Sequence, residues 1–279
     1  MWPEVAFTKG EAIDYYARIA PAILPHLADR ALTRVRFPNG VAEQRFYEKR
    51  APKGTPDWVR KAPIEMGSEG VLDFVVCDDR PTLVWLGQLA ALELHPSLAL
   101  ADDPDRPTVV AFDLDPGAPA DAIDCCRVAL SLREMFGGLG LECFPKTSGS
   151  KGIQVYLPLN SKVDFDRTKS FARTVAQVLE RDQPKRVVSR MKKELRRGKV
   201  FVDWSQNDRA KTTVAVYSLR ARERPTASTP LHWGEVEAAA ADGDAEALRF
   251  DPEAVMARVS EHGDLFAPVL ELEQELPDG

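Results

Sequence analysis

No run of 18 apolar residues occurs in this sequence, so a membrane-spanning helix is excluded. Only four cysteines are present, none spaced C-x-x-C, and Cys125 and Cys126 are neighbours. A zinc knuckle and a disulfide framework are thereby excluded, and the cysteines read as reduced and mostly buried. The four histidines (His26, His95, His232, His262) are scattered and form no metal-ligand pair. Internal repeats and low-complexity tracts are missing. Met1-Trp-Pro-Glu-Val5 has neither a basic head nor an apolar stretch, so no signal peptide is expected and the chain is expected to stay in the cytoplasm. What is there is a globular composition, 44% hydrophobic and 29% charged over 279 residues. That is enough chain to bury a core without staples.

The net charge of −6 argues against a polyanionic partner, but it is unevenly spread. Residues 185–224 carry 13 Lys and Arg against four acids, and residues 225–279 carry two Arg against 13 acids. A concentrated basic segment inside an acidic chain suggests a polyanion site, with acidic surface elsewhere limiting indiscriminate binding. The same segment also reads as a solvated helix face.

Residues 11–27 place Ile13, Tyr16, Ile19 and Ala20 at helical spacing, with Thr8 three residues before Glu11 as a capping box. Residues 34–37, 45–48 and 70–77 read as short strands between Pro- and Gly-rich turns, and 82–93 as a helix ending near His95-Pro96. A polar break at 104–107 precedes a buried strand at 108–115. A helix follows at 118–136, stopped by Gly137-Gly138, then strands at 142–144 and 153–157 around a Gly/Ser loop. Beyond them come a helix at 165–181, a basic helix at 187–197, strands at 200–204 and 213–219, and acidic helices from Trp233. The β-α-β-β order from 108 to 157 predicts an α+β fold with a largely antiparallel sheet rather than a doubly wound parallel one. One domain is expected, with a flanking region over about residues 1–100, a catalytic core over about 101–232 and acidic C-terminal helices over 233–279.

Asp113-Leu-Asp115 closes the buried strand, and residues i and i+2 of a strand share a face. Two carboxylates so close repel, and a divalent cation is their natural neutraliser, although Asp-rich strand ends also simply initiate turns. Asp203 ends a second apolar strand, Lys199-Val-Phe-Val-Asp203, where burial is expensive unless the carboxylate is paired or metal-bound. Carboxylates from separate strands are what a two-metal phosphoryl-transfer site needs.

Thr147-Ser-Gly-Ser-Lys-Gly152 combines small residues, which let amides approach phosphate oxygens, with the countercharge of Lys151. It is superficially similar to a Walker A loop, but the spacing is wrong and it leads into a strand, which excludes a P-loop NTPase. The alternative is a bare Gly/Ser turn. Arg220 and Arg222, spaced i, i+2 beside Lys211, form a guanidinium pair suited to triphosphates or nucleic-acid backbone.

Ala51-Pro-Lys-Gly-Thr-Pro-Asp-Trp58, Glu93-Leu-His-Pro96, Asp113-Leu-Asp-Pro116, Lys146-Thr-Ser-Gly-Ser-Lys-Gly152, Val202-Asp-Trp-Ser-Gln-Asn207 and Lys211-Thr-Thr-Val-Ala-Val-Tyr-Ser-Leu-Arg-Ala-Arg222 follow one another along the chain. Together they resemble the polymerase domain of bacterial ATP-dependent ligase D, of the archaeo-eukaryotic primase-polymerase superfamily. The similarity runs from about residue 8 to residue 270. It implies a primase-polymerase fold of largely antiparallel sheets flanked by helices. It also implies a DNA-directed nucleotidyltransferase that adds nucleotides, preferably ribonucleotides, to a primer 3′-hydroxyl in DNA break or gap repair by end joining.

By the same resemblance Asp113, Asp115 and Asp203 are the catalytic residues and hold two Mn²⁺ or Mg²⁺ ions. His95, Ser148, Lys151, Gln154, Lys211, Arg220 and Arg222 form the nucleotide-binding set, and Lys9, Phe46, Tyr47 and Lys53 the DNA-binding set. Phe46 and Tyr47 fall where the family stacks an aromatic on a base; core packing is their alternative. Implied partners are DNA, NTP or dNTP, a ligase and the DNA-end-binding Ku protein, in the bacterial cytoplasm at the nucleoid and away from membranes.

Two departures stand out. Gln154 replaces a His of the family, which leaves it either a weakened phosphate contact or a structural strand residue. The family's segment before the first helix, whose Asn and Lys bind a downstream 5′-phosphate, is expected to be missing, with Lys9 as its one remaining match. Ligase and phosphoesterase modules are likewise expected to be missing, which fits a stand-alone polymerase or an excised domain. Two other classes compete: a catalytically silent DNA-end-bridging module, against which the intact carboxylate set argues, and a phosphoesterase, which lacks its histidine cluster.

Overall fold

The computed structural model describes residues 1–277. In chain order the elements are α1 (Lys9–Leu27), β1 (Leu32–Arg36), β2 (Phe46–Glu48), β3 (Lys61–Glu65), β4 (Val71–Val75), α2 (Arg80–Gln88) and β5 (Ala91–Pro96). There follow β6 (Val109–Pro116), α3 (Ala122–Gly138), β7 (Phe144–Thr147), β8 (Ile153–Pro158), α4 (Phe165–Asp182), β9 (Val187–Val188) and β10 (Val200–Asp203). The last are β11 (Leu219–Ala221), β12 (Pro225–Ala227), α5 (Trp233–Asp242), α6 (Pro252–His262) and α7 (Pro268–Glu271). Helices and largely antiparallel sheets alternate, the α+β architecture that the sequence predicts. They sort into two compact units, both discontinuous: residues 1–104, 209–228 and 250–264, and residues 105–208, 229–249 and 265–277.

The first unit carries the antiparallel sheet β2-β1-β4-β3, with β5 also paired to β1, and the separate hairpin β11–β12. Helix α1 opens on the expected capping box, Thr8 accepting from the Glu11 amide at 3.1 Å. It buries Tyr15, Tyr16, Ile19 and Ile23. Gly87 lets α2 approach α1, since a Cβ there would press on Ile13 Cγ1 at 3.1 Å.

Three readings are corrected in this unit. The helix expected over 82–93 stops at Gln88, because Ala90 takes a left-handed φ of 58°, and Leu92, Glu93, Leu94 and His95 continue as strand. Strand β3 is a further element, not expected from the sequence; it carries Pro63 and lies at the sheet edge, where a missing donor is tolerated. The strand expected over 213–219 shrinks to its last residue. Ala215 donates instead to the Leu94 carbonyl at 2.8 Å, and Tyr217 turns the chain with φ 65°.

The second unit is built on the sheet β7-β8-β6-β10-β9, antiparallel except for the β9–β10 pair. Phe112 packs at a tilt against Phe136 of α3 (5.4 Å), which stacks on Phe171 of α4 (6.2 Å), so both helices cover the face to which Phe112 points. Asp113, one residue on, belongs to the other face. The basic helix expected over 187–197 is not formed. Its residues make the short strand β9 and an extended run that ends in one 3-10 turn, Lys193–Leu195. Glu194 is the one acid among Arg190, Lys192, Lys193, Arg196 and Arg197, too few for helical i, i+4 pairing to offset like-charge repulsion. All four cysteines are free and buried.

Candidate active site

In the second unit a single polar row crosses four strands. Lys146 of β7 lies opposite Gln154 of β8, Gln154 opposite Asp113 of β6, and Asp113 opposite Asp203 of β10. Directly opposed residues share a face, and Asp115 joins them two residues further along β6. The predicted carboxylates are thus brought to one face of adjacent strands. Burial, and the charges of Asp115 and Asp203, push the Asp113 carboxyl far above its usual range, to about 7, against the pull of the Gln154 bond and the Lys146 charge.

Asp203 is held by its own turn. Ser205 Oγ donates to Oδ1 at 2.6 Å, the Ser205 amide to the same oxygen at 3.0 Å, and Gln206 Nε2 to Oδ2 at 2.7 Å. Asn207, fully buried, fastens that turn to β6: it accepts from the Ala111 amide and donates to the Ala111 carbonyl, both at 2.8 Å. Sequence reasoning passed over Ser205, Gln206 and Asn207, although they follow Asp203 within one matched motif.

Among the described residues no three His, Cys, Asp or Glu side chains are closed into a ready-made metal cage. The donor set nonetheless fits Mg²⁺ or Mn²⁺: it is all carboxylate oxygen, with Asp203 directly opposite Asp113 and Asp115 two residues along the same strand. An open oxygen set is also what metals that share substrate phosphates require.

Ser148 and Lys151 lie in the loop between β7 and β8. Ser148 Oγ accepts from the amides of Ser150 (3.3 Å) and Gly152 (3.2 Å), and its own amide donates to the Gly152 carbonyl at 2.9 Å. Gly152 is obligatory, since a Cβ there would run into the Leu114 carbonyl. Lys151 is exposed, and with Thr147, Ser150 and Arg249 it lines a cavity of about 250 Å³. Gln154 is 4% exposed and lies within the sheet, its amide engaged by Lys146 at one end and Asp113 at the other. Both ends of its side chain are thus engaged within the sheet, on the face that carries Asp113.

The first unit holds the remaining predicted residues. His95 Nε2 lies 3.1 Å from Glu93 Oε2, and Arg220 Nε lies 3.3 Å from Glu93 Oε1, which also accepts from the Ala221 amide at 3.1 Å. Burial alone would raise the Glu93 carboxyl; the His95 bond and the charge of Arg220 outweigh it and hold the group down to about 2. Glu93 is therefore the buried organiser of His95 and Arg220. Its signal was in the sequence, a Glu two residues before a His on what proves to be a strand.

Arg222 does not share a strand face with Arg220, because the chain turns between them, the Arg222 amide donating to the Arg220 carbonyl at 3.0 Å. Phe46 and Tyr47 are 42% and 59% exposed on the edge strand β2, which removes core packing as their explanation. Tyr47 also bonds Thr212 at 3.2 Å. Lys9 stands in the first turn of α1, and Lys53 and Lys211 in exposed loop segments.

The basic segment of the second unit is anchored beside the carboxylates. The Gly117 amide donates to the Lys199 carbonyl at 2.9 Å, the Gly198 amide to the Gly117 carbonyl at 2.8 Å, and Arg196 stacks 3.6 Å from the centre of the Phe201 ring. Gly117 admits no side chain, since a Cβ would collide with the Arg196 backbone. Lys192, Lys193 and Arg197 are exposed.

Residues 8–266 match the family profile described as LigD, primase-polymerase domain. The chain is 43% identical over 271 residues to the multifunctional non-homologous end joining protein LigD of Mycolicibacterium smegmatis, covering 96% of this chain and 35% of that protein. It is 31% identical over 231 residues to the bifunctional non-homologous end joining protein LigD of Bacillus subtilis, covering 82% and 37% respectively. The chain thus spans about a third of the length of these relatives. Its structure superposes on the polymerase domain of Mycobacterium tuberculosis Ligase D in complex with DNA, with a TM-score of 0.89, 38% identity, and 96% and 94% of the two chains covered.

Proposed function

We propose, for a chain that belongs to the LigD primase-polymerase domain family, a nucleotidyltransferase that extends a primer 3′-hydroxyl on DNA during end-joining repair of breaks and gaps. The observation that carries this reading is the common face of Asp113, Asp115 and Asp203 on two hydrogen-bonded strands. The reaction joins the primer 3′-oxygen to the nucleotide α-phosphate and releases pyrophosphate. Bound divalent cations, two Mn²⁺ or Mg²⁺, supply charge neutralisation at the transferring and leaving phosphates. Asp113, Asp115 and Asp203 would hold them.

The chain's own residues do the rest. Ser205 and Gln206 keep Asp203 turned toward its role. The 148–152 loop offers amides and the Lys151 ammonium to phosphate oxygens. Glu93 presents His95 and Arg220 in fixed orientations, and an arginine suits a triphosphate through paired donors. Phe46 and Tyr47 offer exposed rings on which bases stack, and the anchored basic loop contacts strand backbone. The DNA in the matched structure and the end-joining role in the relatives' names support DNA as partner. A preference for Mn²⁺ and ribonucleotides, and work alongside Ku and a ligase at the nucleoid, complete the reading.

Primer extension with metal and each nucleotide omitted in turn is the test. Extension should require both, and Asp113→Ala should leave less than about 1% of it, a loss of roughly 3 kcal/mol of transition-state stabilisation. DNA-end bridging without extension would replace this reading with the silent module, and phosphate release without a primer with the phosphoesterase.

A further inference from the structure

Lys146 is fully buried in β7, where an ammonium persists only if it is paired. Its Nζ donates to Gln154 Oε1 at 2.5 Å and lies 5.3 Å from the centre of the Tyr156 ring. Gln154 Nε2 in turn donates to Asp113 Oδ1 at 3.1 Å. An ammonium can only donate, whereas a glutamine amide has an acceptor at one end and donors at the other. With Lys146 in place the amide oxygen has to face the lysine, and the amino group therefore has to face Asp113. The reversed amide would set N–H against ammonium and oxygen against carboxylate.

Building on the reading of Asp113 as a metal-binding carboxylate, we propose that Lys146 is a positioning residue for nucleotide addition: it locks the Gln154 amide in the orientation that tethers Asp113. One Asp113 oxygen is then tied before any cation arrives, and the other is left for the cation. The tether matters because Asp113 is crowded by two further carboxylates, and a free side chain would relieve that repulsion by rotating away. Neither Lys146 nor Gln154 touches substrate in this scheme.

The first readout needs no metal and no substrate. In the ¹H–¹⁵N spectrum of the metal-free protein the Gln154 side-chain amide, assigned by its loss in Gln154→His, should be protected from exchange and shifted by its carboxylate bond. Lys146→Met should return that signal toward ordinary amide values. The same substitution should lower kcat for primer extension at least roughly tenfold while nucleotide KM stays within about twofold. Adding Gln154→His to Lys146→Met should recover roughly a third or more of the lost kcat, because a ring N–H can face Asp113 unaided. A merely structural role for Lys146 would not be repaired from position 154.

Should Lys146→Met not fold, Lys146→Met/Gln154→Met replaces both buried partners with apolar groups of similar shape and is expected to melt near the parent with the same kcat loss. An unprotected Gln154 amide in the parent, an unmoved signal in Lys146→Met, or parental kcat in the double variant overturns the proposal. Failure of the polymerase reading looks different. A parent with the protected amide but no Mn²⁺-dependent extension removes that reading, while the signal still supports the tether.

Discussion

Asp203 stands directly opposite Asp113 across the β6–β10 pair. Like charges so placed repel, and each carboxylate is drawn toward its own donors, Asp203 to Ser205 and Gln206, Asp113 to Gln154. The fold therefore carries an electrostatic load at the point where its chemistry is proposed.

That load predicts a functional residue that destabilises the metal-free protein. Asp113 has its folded-state pKa above the ordinary 3.8, so ionising it costs stability, beginning as pH rises past that value and complete above about 7. Asp113→Asn should raise the metal-free Tm by roughly a few degrees at pH 8, with the gain shrinking toward pH 5, and should abolish extension. Equal melting of the two proteins at pH 8 would remove the argument.

Glu93 has the opposite sign. Its folded-state pKa of about 2 lies below the ordinary 4.5, so its contribution is fully present above pH 4.5 and lost as pH falls toward 2. Glu93→Gln should lower stability at neutral pH by up to about 3 kcal/mol, and the difference should close in acid. Urea midpoints measured against pH give the answer; a difference independent of pH would assign the loss to packing alone.

The basic loop should bind through phosphate neutralisation. Reversing the exposed Lys192, Lys193 and Arg197 to Glu, with the stacked Arg196 left in place, should flatten the slope of log DNA affinity against log salt by roughly three. An unchanged slope would make the loop a solvated surface.

Gly117→Ala probes how that loop is seated. A methyl group at Gly117 cannot coexist with the Arg196 backbone, so residues 196–199 have to shift. DNA affinity should drop at least roughly fivefold while free Mn²⁺ binding changes little. Parental DNA affinity in the variant would show that the loop's seat is immaterial.

Much of this was legible in the residues. The Thr8–Glu11 box, the Asp113-Leu-Asp115 strand and the Lys151 loop were readable because each is a local pattern with a local cause. The α2–β5 boundary was not, because Ala90 looks like a helix former and only its tertiary setting turns it left-handed. The basic segment carries helical composition, but like charge and its tie to Gly117 leave it extended. Lys146 was missed as a site residue because it acts through Gln154, which becomes its neighbour only when β7 and β8 pair; Glu93 was missed because its second partner, Arg220, is brought to it only by the fold.

The row Lys146–Gln154–Asp113–Asp203 also bears on how the sheet finds its alignment. Sliding β8 by one residue along β6 would turn its side chains to the wrong face; sliding it by two would keep the face but bring Tyr156 or Gly152 opposite Asp113. The Gln154–Asp113 hydrogen bond would then be lost and a half-buried carboxylate left without its donor, a heavy penalty in an interior that tolerates few unpaired charges. The Gln154–Asp113 pair therefore acts as a lock on the β6–β8 alignment, and chemistry and correct assembly are tested by a single contact.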